Sequence, residues 1–497
     1  MSNLSELLPS GGGQNQVEFV ASGTLPNGKA VVLKPDGTVG IISEANDATG
    51  ITAGSEVVFE SAATSYPFII VDPNNANKFV VAYSTGSQGR ACIGTISGTS
   101  ITFGTAVVFH SSSDTGYVSA SFDPNTSGKF VISHTDGSGS PYVGRVIIGT
   151  ISGSSLSFGT SAVFNNATTY YTSVAFDINT ANKFVVAYRD AGNSSYSTAR
   201  VGTVSGTSIS FGSETVFNSQ VDHYLHIKYD PHNANKFIVS YVDTGNGSKG
   251  TSKIGTVSGT SISFSSGHVF TTASVPDVIS LAFDPNTANK FVVAYPKSQN
   301  GNRGTARVGT ISGNSISYGA EVTFNLNAQT AGASVAFDAN NANKFVVIGG
   351  AANNHLRGKL GTVSGTSITF GAEAIFNAAD SASNGIAFDP NNSLNLVMIY
   401  KDGGNSNYGT AQLANVGLAV SNLTSTNLIG IAAEAASSGA TAKINTWGGI
   451  NESQTSLTIG SDYYAQTNGT ITTASASPAQ RIGTAISATT INMRDLP

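Results

Sequence analysis

An all-β chain, folded as a seven-bladed β-propeller of four-stranded blades inserted into a small split β-domain, is what three features of the 497-residue sequence predict. The first is a repeat. An apolar or aromatic residue, an aspartate and a turn recur at Asp72, Asp123, Asp177, Asp230, Asp284, Asp338 and Asp389, 51 to 54 residues apart, and a period of that size marks an array of supersecondary units. The second is composition: 56 Gly, 11% charged residues and an abundance of Ser, Thr and Asn suit short strands joined by tight turns. The third is a pair of strand-like segments at the two ends, neither of which has the apolar length to fold alone.

Taken along the chain, residues 1–14 read as an N-terminal arm, with Gly11, Gly12 and Gly13 in a flexible or partner-bound stretch. Residues 15–47 hold short apolar runs at 17–20, 30–33 and 39–42 around a Pro35-Asp36-Gly37 turn and form the first part of the split domain. The repeat is clearest over 333–376. Residues 333–337 alternate small and large side chains, 338–343 make a turn, and 344–348 are an apolar run suited to a strand covered on both faces. Residues 359–363 and 367–370 give third and fourth strands joined by Ser364 and Gly365, and Gly there supplies the positive φ of a tight hairpin. Four antiparallel strands per unit make a propeller blade. A glycine recurring in the third strand, at Gly94, Gly149, Gly202, Gly255, Gly309 and Gly361, points to close approach by a neighbouring blade or to a bulge. The seventh unit lacks its fourth strand, and residues 50–59 copy the pattern of 367–376, so that segment is expected to close the ring within a propeller spanning 48–422. Residues 423–497 supply the other part of the split domain, for anchoring or oligomerisation.

A formal charge of -5 without a basic run argues against nucleic acid as a partner. Cys92 is the single cysteine, so no intrachain disulfide or cysteine metal cage can form. No stretch has the ~18 apolar residues of a membrane span and the start has no secretory pattern, so no membrane insertion is expected, and a chain acting outside the cell is expected to leave within a larger particle.

The segments Leu7 to Asn15, Gly28 to Leu33, Gly460 to Tyr464 and Ile482 to Ser487 resemble elements of virion structural and fibre proteins of tailed phages of the marine type. The repeated Phe-Asp-Pro-Asn-x-Ala-Asn-Lys-Phe-Val-Val-Ala-Tyr pattern is similar to repeats in such proteins as well. The resemblance implies a virion component assembled in the host cytoplasm, a tail fibre, spike or capsid decoration, with other virion proteins as partners and a small β-domain that anchors or trimerises it.

No Gly-x-Ser-x-Gly, Walker loop or His-Glu-x-x-His occurs, which favours a non-enzymatic protein without cofactor or metal. Asp72 and its counterparts have one carboxylate per turn and no closing Glu, so turn chemistry explains them better than calcium does. Glu214, Glu321 and Glu373 read as solvated edge charges. One Trp in the chain, Trp447, argues against seven identical sugar pockets. The Asp-Pro-Asn and Ser-Gly turns are uniform, and resemblance to other propellers, in which the strand carrying Val-Ala-Phe lines the axis, implies that they share one face. On the opposite face the loops vary, at 138–142, 165–171, 221–224, 297–303 and 353–355. Aromatic, His and Arg side chains there suit recognition, which makes Tyr142, Tyr170, Tyr171, His223, Tyr224, Arg303 and His355 the candidate receptor-binding residues, for a host surface glycan or protein. Purely structural decoration and a carbohydrate-active propeller enzyme are the alternatives.

Overall fold

The computed structural model describes residues 15–42, 44–46, 50–112, 114–324, 331–350, 355–379, 381–390, 395–416, 419–424, 426–466, 469–475 and 480–493. The arm at 1–14 and residues 353 and 354 of one variable loop lie outside them. The chain forms two compact units, Ala48–Leu418 and Met1–Asp47 with Ala419–Pro497.

The larger unit is a seven-bladed β-propeller. Its sixth blade shows the plan. An inner strand, Ala331–Phe337, pairs antiparallel with Lys344–Gly350, which pairs with Leu356–Ser364. The outermost strand is broken: Ser367–Phe370 and Ala374–Asn377 lie end to end along the same edge of the third strand. Blades three and four depart from the plan by sharing one strand, Thr215–Tyr229, whose first part is the outer edge of blade three and whose second part is the inner strand of blade four. The seventh sheet consists of Ser381–Phe388, Asn395–Asp402, Tyr408–Val416 and, from the start of the unit, Ile51–Ala63. Buried Phe59, Val397, Ile399 and Leu413 of that sheet pack with Ile69, Val81 and Tyr83 of the first, so the ring is closed by apolar contact as well as by backbone pairing. Each other junction is built the same way; Val146, Ile148 and Phe164 of blade two, for example, meet Phe184, Val186 and Tyr188 of blade three.

The turns follow their local chemistry. Oδ1 of Asp72, Asp123, Asp177, Asp230, Asp284 and Asp338 accepts the N–H two residues on at 2.8 to 3.0 Å, closing an Asx turn. The hairpin glycines after the third strands, from Gly98 to Gly365, hold φ between 58° and 64°, the left-handed region that a Cβ disfavours. The third-strand glycines have a different origin from the one expected. The nearest atoms belong to the same sheet and not to a neighbouring blade: the ring of the opposed second-strand phenylalanine lies over each, Phe79 over Gly94, Phe130 over Gly149 and so on to Phe345 over Gly361. Two of the three edge glutamates are not solvated charges, while Glu214 is exposed as expected. Glu321 pairs with Lys297 and accepts from Tyr295 at 3.0 Å, Glu373 pairs with Arg357, and Glu214 lies 3.6 Å from Arg200, because each third or second strand carries a cation in register with the outer edge.

The shared strand also brings two carboxyls together. Asp222 stands opposite Asp243, where blades two and three set Thr115 against Asp136 and Thr169 against Asp190. Burial pushes Asp222 up to about 7, with hydrogen bonds from Ser197 and Asn218 opposing and the Asp243 charge adding. Since an unfolded Asp titrates near about 3.9, the folded state holds the extra proton between those values, and the associated stability is full below pH ~4 and lost as pH rises through ~7. Asp222→Asn is therefore expected to raise the melting temperature by several degrees at pH 8 and much less at pH 5. A calorimetric gap of equal size at both pH values would show that this carboxyl does not titrate with folding.

In the smaller unit, the two ends of the chain interleave. Its main sheet runs Gln16–Val20, Thr441–Asn445, Leu428–Ala432, Ala30–Leu33, Val39–Ile41. A second sheet runs Ile450–Asn451, Ile491–Asn492, Gln480–Ala485, Asp462–Ala465, Ile471–Thr472. Val32, Ile431, Tyr463, Ile482 and Met493 share one core, so neither end has a core without the other.

Candidate functional site

Counting back six residues from each anchoring aspartate reaches Tyr66, Tyr117, Tyr171, Tyr224, Val278, Gly332 and Ser383. In six of the seven blades the pairing of the inner strand slips at this point. The six residues take φ of 47° to 68°, with Val278 the exception. A bulge re-aims the side chain that it carries. Here it turns four consecutive tyrosines toward the end of the central channel. Tyr66 and Tyr117 have ring centroids 5.4 Å apart, Tyr117 and Tyr171 4.9 Å, Tyr171 and Tyr224 5.2 Å. The rings make an arc over four blades, while Val278, Gly332 and Ser383 leave the other side low. A left-handed backbone costs a bulky residue of order 1 kcal/mol or more, and such strain gathers at sites of function.

The arc has a second layer. Arg189 lies over Tyr170, 4.3 Å from its centroid, and 5.2 Å from that of Tyr171, a cation–π arrangement. His223 stacks on Tyr171 at 5.4 Å, with planes 26° apart. Burial and then Arg189 lower its basicity, so the imidazole is neutral at pH 7. Burial, with the adjoining Tyr171 and Tyr66, pushes the Tyr117 phenol up to about 12, and burial raises Tyr66 and Tyr224 too. These hydroxyls stay protonated and serve as hydrogen-bond donors and acceptors.

Together with residues of all seven inner strands, the tyrosines enclose a cavity of ≈ 480 Å³, a size that takes a small ligand. Its floor is a belt linking blade to blade. Ser119, Ser173 and Ser280 accept the backbone N–H of Val174, Ile227 and Val335 on the next blade at 3.1 to 3.2 Å, and His226 Nδ1 takes the same role toward Leu281 at 2.9 Å. Asp277 is the one carboxylate on the cavity wall among the described residues, and its Oδ2 accepts from Gly332 N–H at 3.2 Å.

Of the residues singled out in the sequence, Tyr170, Tyr171, His223 and Tyr224 thus converge. Tyr142, in the loop after the second strand of blade two, is exposed; Arg303 stands opposite Lys297 in the backbone register at the end where the second strand of blade five leads into the third; His355 Nδ1 lies 3.1 Å from Arg357. Among the described residues no ring contact or hydrogen bond joins these three to the arc. Tyr66, Tyr117 and Arg189 were missed, yet the tyrosines sit at fixed spacing from Asp72 and Asp123, so aligning the repeats on the aspartate finds them. Among the described residues no cluster of three or more His, Cys, Asp or Glu could hold a metal, and no helix is long and apolar enough to cross a membrane.

Seven sheets around a channel, with an aromatic cavity at one mouth, define the class: a β-propeller with a candidate site on its axis. Solved structures resemble it at low identity. The lectin BP39L from Burkholderia pseudomallei is 11% identical, with 74% of this chain and 100% of the lectin aligned at a TM-score of 0.56. The periplasmic gluconolactonase PpgL of Pseudomonas aeruginosa is 14% identical over 71% of this chain and 97% of its own, TM-score 0.45. An intramolecular trans-sialidase from Ruminococcus gnavus is 9% identical over 73% and 98%, TM-score 0.44. At such identities the likeness is one of fold alone. No protein-family model and no curated protein sequence matches the chain.

Proposed function

We propose that the protein is a non-enzymatic recognition component of a virus particle, a tail-fibre or spike-like appendage, and that the tyrosine mouth of its propeller binds a glycan on the host surface. The observation that carries the binding part is the arc of four strained tyrosines over an axial cavity. Flat aromatic faces cover the C–H faces of a sugar ring while phenol and guanidinium groups meet its hydroxyls. Binding is favoured over hydrolysis because glycoside cleavage ordinarily takes two carboxyl groups flanking the bond, and Asp277 stands alone on this wall among the described residues. The virion part rests on the resemblance of the flanking segments, and the split domain is assigned the anchoring or oligomerising role.

The test is binding of the purified protein to host cells and to a glycan array. Tyr117→Ala with Tyr171→Ala is expected to weaken capture at least about tenfold, the loss of two stacked anchors. Capture that survives the double substitution removes the site assignment, and release of reducing ends from a polysaccharide overturns the non-enzymatic reading.

A further inference from the structure

Below the tyrosine mouth the channel is lined by the residue two before each anchoring aspartate. In six blades this is Ile70, Ser121, Ala175, Ala282, Ala336 or Ala387; in blade four it is Lys228. Lys228 is partly buried and lines a second cavity of ≈ 400 Å³, which follows the tyrosine cavity along the channel and reaches Pro73, Pro124, Pro231, Pro285 and Pro390 of the turn face. Among the described residues no hydrogen bond or ion pair holds its ammonium and no Asp or Glu lines this stretch. An unpaired charge in such a place is costly unless something neutralises it. Its side chain is only partly exposed in the channel, and that burial lowers its basicity.

His226 stands two residues earlier on the same strand, so both side chains face the channel, about 6 to 7 Å apart along it. The bond from Leu281 N–H to Nδ1 assigns the imidazole proton to Nε2, and burial followed by the Lys228 charge lowers His226 to about 3. The ring is consequently a neutral N–H donor on the cavity wall. A fixed N–H and an ammonium, aligned on one face beneath an aromatic mouth and without a competing carboxylate at their level, make a receptor for one anionic group on a small ligand.

We infer that the site takes an acidic sugar, its carboxylate held between His226 Nε2 and the Lys228 ammonium in the channel and its ring held by Tyr117 and Tyr171 above. This rests on the glycan reading of the mouth and adds the substrate class to it. Charge-assisted hydrogen bonds are about twice as strong as neutral ones, which directs the preference toward the acid form of a sugar over its neutral parent.

Calorimetric titration of the full-length chain with glucuronate, glucose and acetate tests it. Glucuronate is expected to bind at least about tenfold more tightly than glucose, and acetate far more weakly than glucuronate. Lys228→Met should abolish that preference; the variant should also melt higher than the parent, since an unpaired charge has gone. Glucuronate should shift the Lys228 13Cε resonance. Equal binding of glucuronate and glucose, or a preference that persists in Lys228→Met, overturns the acid site while the tyrosine reading stands. Failure of both sugars to bind overturns both, and acetate binding as tight as glucuronate shows an anion site without sugar recognition.

Discussion

Replacing Gly202 with alanine is expected to destabilise the propeller by about 1–3 kcal/mol or more, the range for overpacking a filled core. A Cβ built there meets Phe184 Cζ at 2.1 Å, and the ring cannot retreat because Phe184 is fully buried and packs edge-on against Phe211. The chain contains its own control. In the seventh blade the same register position pairs Leu396 with Ala414 in place of Phe with Gly, a smaller side chain over a larger floor. Phe184→Leu combined with Gly202→Ala should hence recover much of the loss. Urea unfolding of the four proteins gives the coupling directly, with about 0.5–3 kcal/mol expected for residues in contact. Additive losses, with no coupling, would mean that the ring and the glycine are not a matched pair.

Removal of the closing strand should have the larger effect. A chain of residues 48–418 is expected to unfold in one cooperative transition, and one of residues 64–418 is not. Without Ile51–Ala63, the third strand Tyr408–Val416 becomes a bare edge, open to pairing with other chains. Phe59 disappears from between Tyr83 and Phe103, at 5.2 and 5.6 Å, and no longer covers Gly409. A synthetic peptide of residues 51–63 added during refolding should restore the transition. Normal melting of the 64–418 chain alone would remove this strand from the account of ring closure.

Much of the fold could be read from residues whose local chemistry allows one solution. Asp72 and its counterparts, with the hairpin glycines, had to be turns, and an apolar run such as residues 184–187 had to be covered on both faces. The third-strand glycines were visible but their cause was not, because the flat ring that needs them comes from a partner about 18 residues earlier, as with Phe184 and Gly202, and register is a property of pairing. The site was half legible for a similar reason. Tyr171, His223 and Tyr224 attracted notice as aromatics in variable loops, but the slip that turns a tyrosine from strand face to channel mouth leaves no mark in composition. Lys228 was hidden most completely: in residues 225–229 it alternates with apolar neighbours as any solvent-facing lysine of an edge strand would, and only closure of the ring makes that face an interior.

The single strand Thr215–Tyr229 bears on how the ring responds to load. Between blades three and four one strand, bulged at Tyr224, carries tension from the rim of one sheet to the axis of its neighbour without an intervening loop, and Thr64 alone separates the corresponding strands of blades seven and one. Blades three and four are thereby coupled as one mechanical element, and that element carries Tyr171, Tyr224 and Lys228.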